Sequence, residues 1–233
     1  MKIGLFTDSH YSSAKITCGR RYNSRSLAKI EQAMCCFQKE NCELVICLGD
    51  LIDRENEQKK VLSNLHEAAE VFHRYNLPLI CLMGNHDAFT LTQKAFYGVL
   101  GEECRPRPIR TESRTLLFLD CCYTSDGAHY SPEGLHDWTD TFLPQPRELK
   151  RTLEECDTPV CLFMHQNVSP GIRSDHCLTN AWAVRRIIEE SGKVENVFQG
   201  HYHPGQKESS HGIEYITFPA MCEQEEAWFI LEL

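Results

Sequence analysis

Two carboxylates, one amide and four imidazoles stand in short polar motifs that follow apolar runs of this chain. The motifs are Asp8-Ser9-His10, Gly49-Asp50-Leu51-Ile52-Asp53-Arg54, Gly84-Asn85-His86-Asp87, His165 and Gly200-His201-Tyr202-His203. Carboxylate, amide and imidazole groups are common ligands of divalent transition metals. Seven of them can hold two ions side by side, and two ions about 3.5–4 Å apart suit in-line displacement at phosphorus.

Taken singly, each motif has an ordinary explanation. Asp8 and His10 can point to one side of a strand end, because alternate residues share a face. Asp50 follows a buried strand, where a carboxylate is costly unless it is paired or bound to a metal. Asn85 offers a neutral oxygen ligand, although Gly-Asn also favours a turn. The order of the motifs, more than any single member, therefore supports the hypothesis of a metal site.

Hydrophobic periodicity predicts the elements that position these motifs. Predicted strands cover residues 2–6, 44–48, 79–83, 115–119, 160–164 and 194–199, with closing antiparallel strands at 213–218 and 227–233. Predicted helices run from a cap at Asn23 or Ser24 to residue 40, and over residues 55–75, 90–100, 146–156 and 180–191. Residues 121–146 contain several prolines and glycines and predict a long surface loop. The alternation of strands and helices predicts a single α/β domain over residues 1–233 with a mixed sheet.

The placement of the motifs relative to the strands is the strongest structural signal. Asp8, Asp50, Asn85, His165 and His201 each come one to three residues after a predicted strand. In α/β sheets, ligands bind outside the carboxyl ends of the strands, where the connecting loops converge. Five motifs after five strands are therefore expected to meet in space.

The ordered set resembles the calcineurin-like metallophosphoesterase superfamily from Asp8 to His203. The resemblance implies a four-layer αββα sandwich of two mixed β-sheets flanked by helices, with a binuclear metal centre. It further implies that the two divalent ions, Mn, Fe or Zn, are bridged by Asp50 and by a water or hydroxide. One ion would take Asp8, His10, Asp50 and His203, and the other Asp50, Asn85, His165 and His201.

The same resemblance assigns roles outside the ligand set. His86 corresponds to a histidine near the leaving group, and Asp53 to the acidic residue that orients it. Arg54 matches a position that contacts phosphate in some members, although a surface salt bridge with Glu55 or Glu57 explains it equally well. These motifs define the superfamily and leave the substrate open.

Charge limits the classes of partner. The net charge is −9 with no basic block, so binding of long DNA or RNA is disfavoured. Two metal ions would still set a positive local charge and attract a small anionic substrate. No apolar run approaches the ~20 residues of a membrane helix, so we expect no membrane association. The sequence gives no indication of the oligomeric state.

Thirteen cysteines are present, yet neither a disulfide framework nor a zinc site is favoured. The count is odd, no Cys-x-x-Cys occurs, and Cys47, Cys81 and Cys161 lie inside apolar runs. Reduced cysteines that pack as small hydrophobes are typical of cytosolic proteins. Because Met1 leads directly into a predicted strand, no signal peptide is expected, and we expect a cytoplasmic location.

Two regions bear on the substrate. Residues 171–180 are similar to a stretch of class III cyclic-nucleotide phosphodiesterases and manganese-dependent ADP-ribose/CDP-alcohol diphosphatases. Asn180 either contacts the substrate there or acts only as a helix N-cap. Four loop aromatics either stack on a nucleobase or pack within the loop, and they are Tyr123, His129, Tyr130 and Trp138.

Three functions remain open. The first is a phosphodiesterase or diphosphatase that acts on a small nucleotide-like molecule. The second is a phosphomonoesterase, although Asp87 and the absence of Gly-Gly after His165 speak against a protein phosphatase. The third is a catalytically silent metal-binding scaffold, which would tolerate the loss of ligands that this chain retains.

Overall fold

Two mixed β-sheets form the centre of the computed structural model, which describes residues 1–134 and 137–233. The first sheet has the order β10-β1-β2-β3, with β1 (Lys2–Phe6), β2 (Leu44–Cys47), β3 (Leu79–Cys81) and β10 (Trp228–Glu232). The second has the order β4-β5-β6-β7-β9-β8, with β4 (Ile109–Arg110), β5 (Thr115–Leu119), β6 (Val160–Met164), β7 (Val194–Gln199), β8 (Gln206–Ser210) and β9 (Ile213–Thr217).

Parallel pairing dominates both sheets, and antiparallel strands close every described edge except that of β3, which is parallel to β2. β1, β2 and β3 pair in parallel, as do β5, β6, β7 and β9. β10 is antiparallel to β1, β4 to β5, and β8 to β9. The carboxyl ends of the parallel strands therefore point to one edge of each sheet.

Helices cover the outer faces of both sheets. They are α1 (Ser26–Lys39), α2 (Gln58–Tyr75), α3 (Asn85–Thr90), α4 (Gln93–Leu100), α5 (Pro146–Glu154) and α6 (Ala181–Ser191). One apolar cluster joins α1, α2 and α4 to the first sheet, and a second joins α5 and α6 to the second sheet. A third cluster lies between the sheets and includes Ile3, Ile46, Phe163 and Phe198. The predicted four-layer αββα sandwich is confirmed.

Gly4 shows how closely α1 approaches the first sheet. A Cβ atom at this position would lie 2.4 Å from the ring of Phe37. Phe37 is fully buried on α1, so only glycine allows the helix to pack at this distance.

Five details of the strands and α-helices differ from the predicted elements, and one is the two-residue edge strand β4, which was not predicted. The strand at 213–218 is β9, which pairs in parallel with β7, and its antiparallel partner β8 was not predicted. β8 reads Gln-Lys-Glu-Ser-Ser at a sheet edge, so it carries no apolar pattern. The predicted helix at 90–100 begins at Gln93, because Thr92 caps it by accepting the Ala95 N–H. The separate short helix α3 precedes it and was also missed.

The predicted long loop is reproduced, and the other predicted helices and strands match within a few residues. Residues 121–146 form no helix or strand apart from isolated bridges and the first residue of α5, where the structure describes them. All thirteen cysteines are free thiols, and most are buried. Among the described residues, no helix is both long and apolar enough to cross a membrane.

Candidate metal centre

The five motifs meet at the carboxyl ends of five strands, as the sequence predicts. Asp8 follows β1, Asp50 follows β2, and Asn85 follows β3 in the first sheet. His165 directly follows β6, and His201 comes shortly after β7 in the second sheet. The site therefore lies where the edges of the two sheets adjoin.

The first predicted ligand set forms a tight cluster of nitrogen and oxygen atoms. His10 Nε2 lies 3.2 Å from His203 Nε2, 3.6 Å from Asp8 Oδ1 and 3.5 Å from Asp50 Oδ2. His203 Nε2 lies 3.4 Å from Asp8 Oδ1. Ligand atoms that bind one ion at about 2.1 Å must lie within about 4.2 Å of each other, and all these distances satisfy that limit.

The second predicted ligand set shares Asp50. Asp50 Oδ2 is 3.2 Å from His165 Nε2, and ligand atoms of Asp50, His165 and His201 all lie within 4.8 Å of one another. Asn85 is buried at the start of α3. Asp50 is thus placed between the two histidine groups, where a bridging carboxylate would stand.

Unpartnered buried atoms test whether these residues suit a metal. Asn85 Oδ1 and His201 Nε2 are buried, and within residues 1–134 and 137–233 neither has a hydrogen-bond partner. A buried polar atom without a partner costs about 1–3 kcal/mol. Both atoms belong to the second predicted set, and a bound cation would satisfy both. The donor set therefore fits a pair of metal ions.

The backbone around the ligands is bent into an uncommon conformation. Asp8, His10, Asp50 and His201 all have positive φ angles, between 46° and 65°. Such angles are uncommon for residues other than glycine and concentrate at functional sites. The chain thus turns sharply after β1, β2 and β7, at four of the seven predicted ligands.

Gly84 allows the second and third motifs to touch. A Cβ atom at Gly84 would lie 2.1 Å from Asp50 Oδ1, so no other residue fits. Asp87 ties the same two loops together, because its carboxylate accepts the N–H groups of Gly84, Leu51 and Ile52. Burial, together with the nearby Asp50 carboxylate, raises the pKa of Asp87 to about 7.

Three of the predicted ligands, Asp8, Asp50 and His165, are also held by a second contact. Asp8 Oδ2 accepts the Thr7 hydroxyl at 2.6 Å and the His201 N–H at 2.9 Å. Asp50 Oδ1 accepts the His86 N–H at 2.8 Å, and His165 Nδ1 donates to the Leu48 carbonyl at 3.1 Å. Contacts of this kind orient metal ligands and fix which imidazole nitrogen faces the ion.

The charges of the metal-free cluster are strongly interdependent. Burial alone would raise the pKa values of Asp8 and Asp50, but the neighbouring His165 and other imidazoles lower both. Burial disfavours the charged form of His165, yet Asp50 and Asp8 raise its pKa to about 9. Burial and His86 lower the pKa of His10 to about 4. Two carboxylates are thus kept ionised, which suits a cation.

His86 stands at the cavity side of the ligands, in contact with the residue predicted to orient it. Its Nδ1 donates to Asp53 Oδ1 at 2.7 Å, which leaves Nε2 facing the cavity and 3.4 Å from Arg21 Nη1. Burial alone would raise the pKa of Asp53, but the hydrogen bond from His86 and the charges of His86 and His10 together lower it. Asn23 donates to Asp53 Oδ2 and to the His10 carbonyl, so it is not the helix cap that the sequence predicted.

A cavity of about 910 Å³ opens above the ligands. Four arginines line it, although the chain is acidic overall, and they are Arg20, Arg21, Arg54 and Arg173. Arg54 is exposed and places its guanidinium 4.6 Å from the centre of the Phe89 ring. The side of the cavity formed by residues 137–138, 173–176 and 202 is called the outer wall below.

The regions expected to select the substrate are only partly in the cavity. Trp138 lies in the outer wall, with its ring 5.2 Å from that of His176. Tyr123, His129 and Tyr130 line a different cavity. Asn180 is not among the residues that line the metal-side cavity; its side chain exchanges two hydrogen bonds with the backbone of Leu143. It occupies the N-cap position of α6 without capping it.

Three residues in or near the site were missed by sequence reasoning. Arg21 and Asn23 follow the first motif by little more than ten residues, and an Arg-Arg pair near a metal motif was the available signal. Glu223, which contacts His203 Nδ1 at 2.5 Å, lies beyond the last motif. No motif in the neighbouring sequence indicates that Glu223 belongs to the site.

Two curated relatives are similar to this chain over most of their length. A probable cyclic nucleotide phosphodiesterase of Pseudoalteromonas sp. is 22% identical over 228 residues, which cover 96% of this chain and 79% of the relative. A probable cyclic nucleotide phosphodiesterase of Rhodopseudomonas palustris is 29% identical over 221 residues, with coverage of 87% and 72%.

A solved structure shows the same fold. A dimetal phosphatase from Danio rerio matches with a TM-score of 0.84 at 18% identity, covering 100% of this chain and 92% of that chain. The family model described as calcineurin-like phosphoesterase matches residues 1–205, a span that contains all seven predicted ligands. With most of the chain inside that match, the protein belongs to the calcineurin-like phosphoesterase family of metal-dependent phosphoric ester hydrolases.

Proposed function

We propose that this chain hydrolyses a phosphodiester or pyrophosphate bond in a small nucleotide-like molecule and that it depends on two divalent metal ions. The observation that carries the proposal is the position of the metal-ligand cluster at the floor of a large cavity lined by arginines. A lone phosphate group would need far less room. The names of the two curated relatives, both probable cyclic nucleotide phosphodiesterases, support a nucleotide-like substrate.

The ligand assignment follows the two clusters. Asp8, His10, Asp50 and His203 hold one ion, and Asp50, Asn85, His165 and His201 hold the other. When bound, two ions supply a hydroxide nucleophile and stabilise charge on the phosphoryl oxygens. Oxygen and imidazole ligands suit Mn, Fe or Zn, and we propose one of these as the native metal.

His86 handles the proton on the leaving-group side. Because Asp53 accepts from Nδ1, the ring is oriented with Nε2 towards the cavity. In its imidazolium form, with a proton on each ring nitrogen, His86 donates the Nε2 proton to the departing oxygen or hydrogen-bonds the charge that develops on it. Arg21 places a guanidinium beside this nitrogen, so a negatively charged leaving group is also stabilised there.

Charge balance favours a substrate with more than one anionic group. Two divalent ions against Asp8 and Asp50 leave a positive floor, and Arg21 and Arg54 add positive charge outside it. A pyrophosphate places one phosphate on the floor and the second near these arginines. A phosphomonoester has no second phosphate for them, which makes a monoesterase the weaker alternative.

A substrate panel tests the proposal. The metal-free chain is reconstituted with Mn²⁺, Fe²⁺ or Zn²⁺ and assayed with a nucleoside monophosphate, a phosphodiester, a cyclic nucleotide and a dinucleoside pyrophosphate. We expect faster turnover of a diester or pyrophosphate than of the monoester, and none without metal. Fastest turnover of the monoester would establish a phosphomonoesterase. Two bound ions without turnover of any substrate would establish a silent scaffold.

A further inference from the structure

Residues 220–224, called the strap below, run behind two of the metal-binding motifs. The Met221 N–H donates to the Thr7 carbonyl, and the Cys222 N–H donates to the Asp8 carbonyl, both at 3.0 Å. The Ala220 N–H donates to the His203 carbonyl at the same distance. The strap lies outside the family match at residues 1–205, yet it contacts the first and the last motif at once.

A buried lysine fixes the strap to the core. Lys29 of α1 is 7% exposed, and its Nζ donates to the Met221 and Gln224 carbonyls at 2.9 and 2.5 Å. A buried ammonium group is costly unless it is fully hydrogen-bonded, so these two contacts hold the strap against α1. The side chain of Glu223, between them, is thereby placed with little freedom.

Glu223 points at the outer nitrogen of His203. Its Oε1 lies 2.5 Å from His203 Nδ1, and its side chain is only 12% exposed. With Nδ1–H donated to Glu223, His203 Nε2 is the nitrogen that faces Asp8 Oδ1 and His10 Nε2. Glu223 Oε1 also lies 3.1 Å from Nε of the exposed Arg20.

The two proposed metal positions differ in the group that accepts the Nδ1–H of a ligand histidine, as His165 and His203 show. His165 donates its outer N–H to a backbone carbonyl, that of Leu48. His203 donates to a carboxylate, which orients the ring and makes it a more basic ligand. This support comes from the strap and from none of the motifs.

We propose that Glu223 is a positioning residue that orients His203 and raises the metal affinity of the position formed by Asp8, His10, Asp50 and His203. The inference rests on the metal site of the proposed function. It adds that the chain after the last motif completes this site.

Titration of the metal-free chain with Mn²⁺ alone, followed by calorimetry, tests the inference without an activity assay. We expect Glu223→Ala to weaken one of two sites by about 10–100-fold and to leave the other unchanged. Glu223→Gln should weaken it less, because the amide oxygen still accepts the Nδ1–H. The matched control is Glu226→Gln, an exposed glutamate of the same segment, which should bind as the wild type does. Circular dichroism of each metal-free variant checks the fold.

Unchanged affinity at both sites in both Glu223 variants would overturn the inference. Equal weakening by Arg20→Gln and Glu223→Gln would also overturn it, since Glu223 would then act only through its pair with Arg20. A wild-type chain that binds no Mn²⁺ would refute the metal site itself, a failure distinct from either of these.

Discussion

The floor of the cavity, formed by the seven predicted metal ligands, and its outer wall are built in opposite ways. Asp8 and Asp50 are 0% and 1% exposed, and each is held by backbone N–H groups from distant motifs. In the outer wall Trp138 is 41% exposed, and Arg173 pairs with Asp175, two residues away. Exposed ion pairs of that kind contribute about 0–1 kcal/mol, so the wall is held loosely.

From this difference we expect the floor to carry out the chemical step and the outer wall to select the substrate. A floor whose carboxylates are fixed by hydrogen bonds from distant motifs can hold charge in a fixed geometry, which suits the stabilisation of charge at phosphorus. A wall of exposed, locally paired side chains can adjust to the rest of a substrate. Identical substitutions on the two sides should therefore have very different effects, and matched pairs of variants measure the difference.

The largest effect is expected for Asp50→Asn compared with Asp175→Asn. Loss of the shared carboxylate should remove bound metal and reduce turnover to background, whereas the same change in the outer wall should leave the metal content intact. Metal analysis by mass spectrometry and a phosphodiesterase assay measure both. Wild-type metal content in Asp50→Asn would refute the bridging role of Asp50.

The next effect is expected for His86→Ala compared with His176→Ala. Proton transfer by a positioned side chain contributes about 10²–10⁴-fold, so His86→Ala should keep its metal and lose turnover within that range. The loss should be greater for poor leaving groups, while His176→Ala changes KM more than kcat. Equal losses for good and poor leaving groups would remove His86 from leaving-group departure.

A smaller effect is expected for Arg21→Ala compared with Arg173→Ala. A hydrogen bond to a charged group contributes about 1.5–3 kcal/mol, so Arg21→Ala should lower kcat/KM for a pyrophosphate by tenfold or more. An ester with an uncharged leaving group should be less affected, and Arg173→Ala should show no such preference. Steady-state kinetics with the two substrates provide the measurement. The same loss for both substrates would show that Arg21 does not contact the leaving group.

The residues of the floor could be predicted from the sequence because they lie just after predicted strands. Each predicted ligand follows a buried apolar strand, and parallel strands bring their carboxyl ends to one edge. The contact between His86 and Asp53 was also expected, from the family resemblance. The alternation of strands and helices predicted an α/β domain with a mixed sheet, whereas the four layers with two sheets were implied only by the family resemblance.

The missed features depend on contacts between distant segments. α3 is a short helix held by Asp87 and its bonds to the second motif, and a six-residue helix carries no readable period. β8 is a polar edge strand. It pairs with β9 because the turn at His211 and Gly212, both with positive φ, reverses the chain between the two strands. Glu223 is brought to His203 by the backbone bonds of residues 220–222 to distant motifs and by the Lys29 contacts, and no local sequence pattern indicates either.

The smallest effect on turnover is expected for Asn180→Ala. The Asn180 side chain accepts the Leu143 N–H at 3.2 Å and donates to the Leu143 carbonyl at 2.9 Å. Leu143 is buried, so its backbone groups would lose their partners, at a cost of about 1–3 kcal/mol in the free energy of unfolding. Urea unfolding should show this loss while kcat stays close to that of the wild type. A fall in kcat/KM at unchanged stability would instead place Asn180 in contact with the substrate, and the outer wall would then extend to the start of α6.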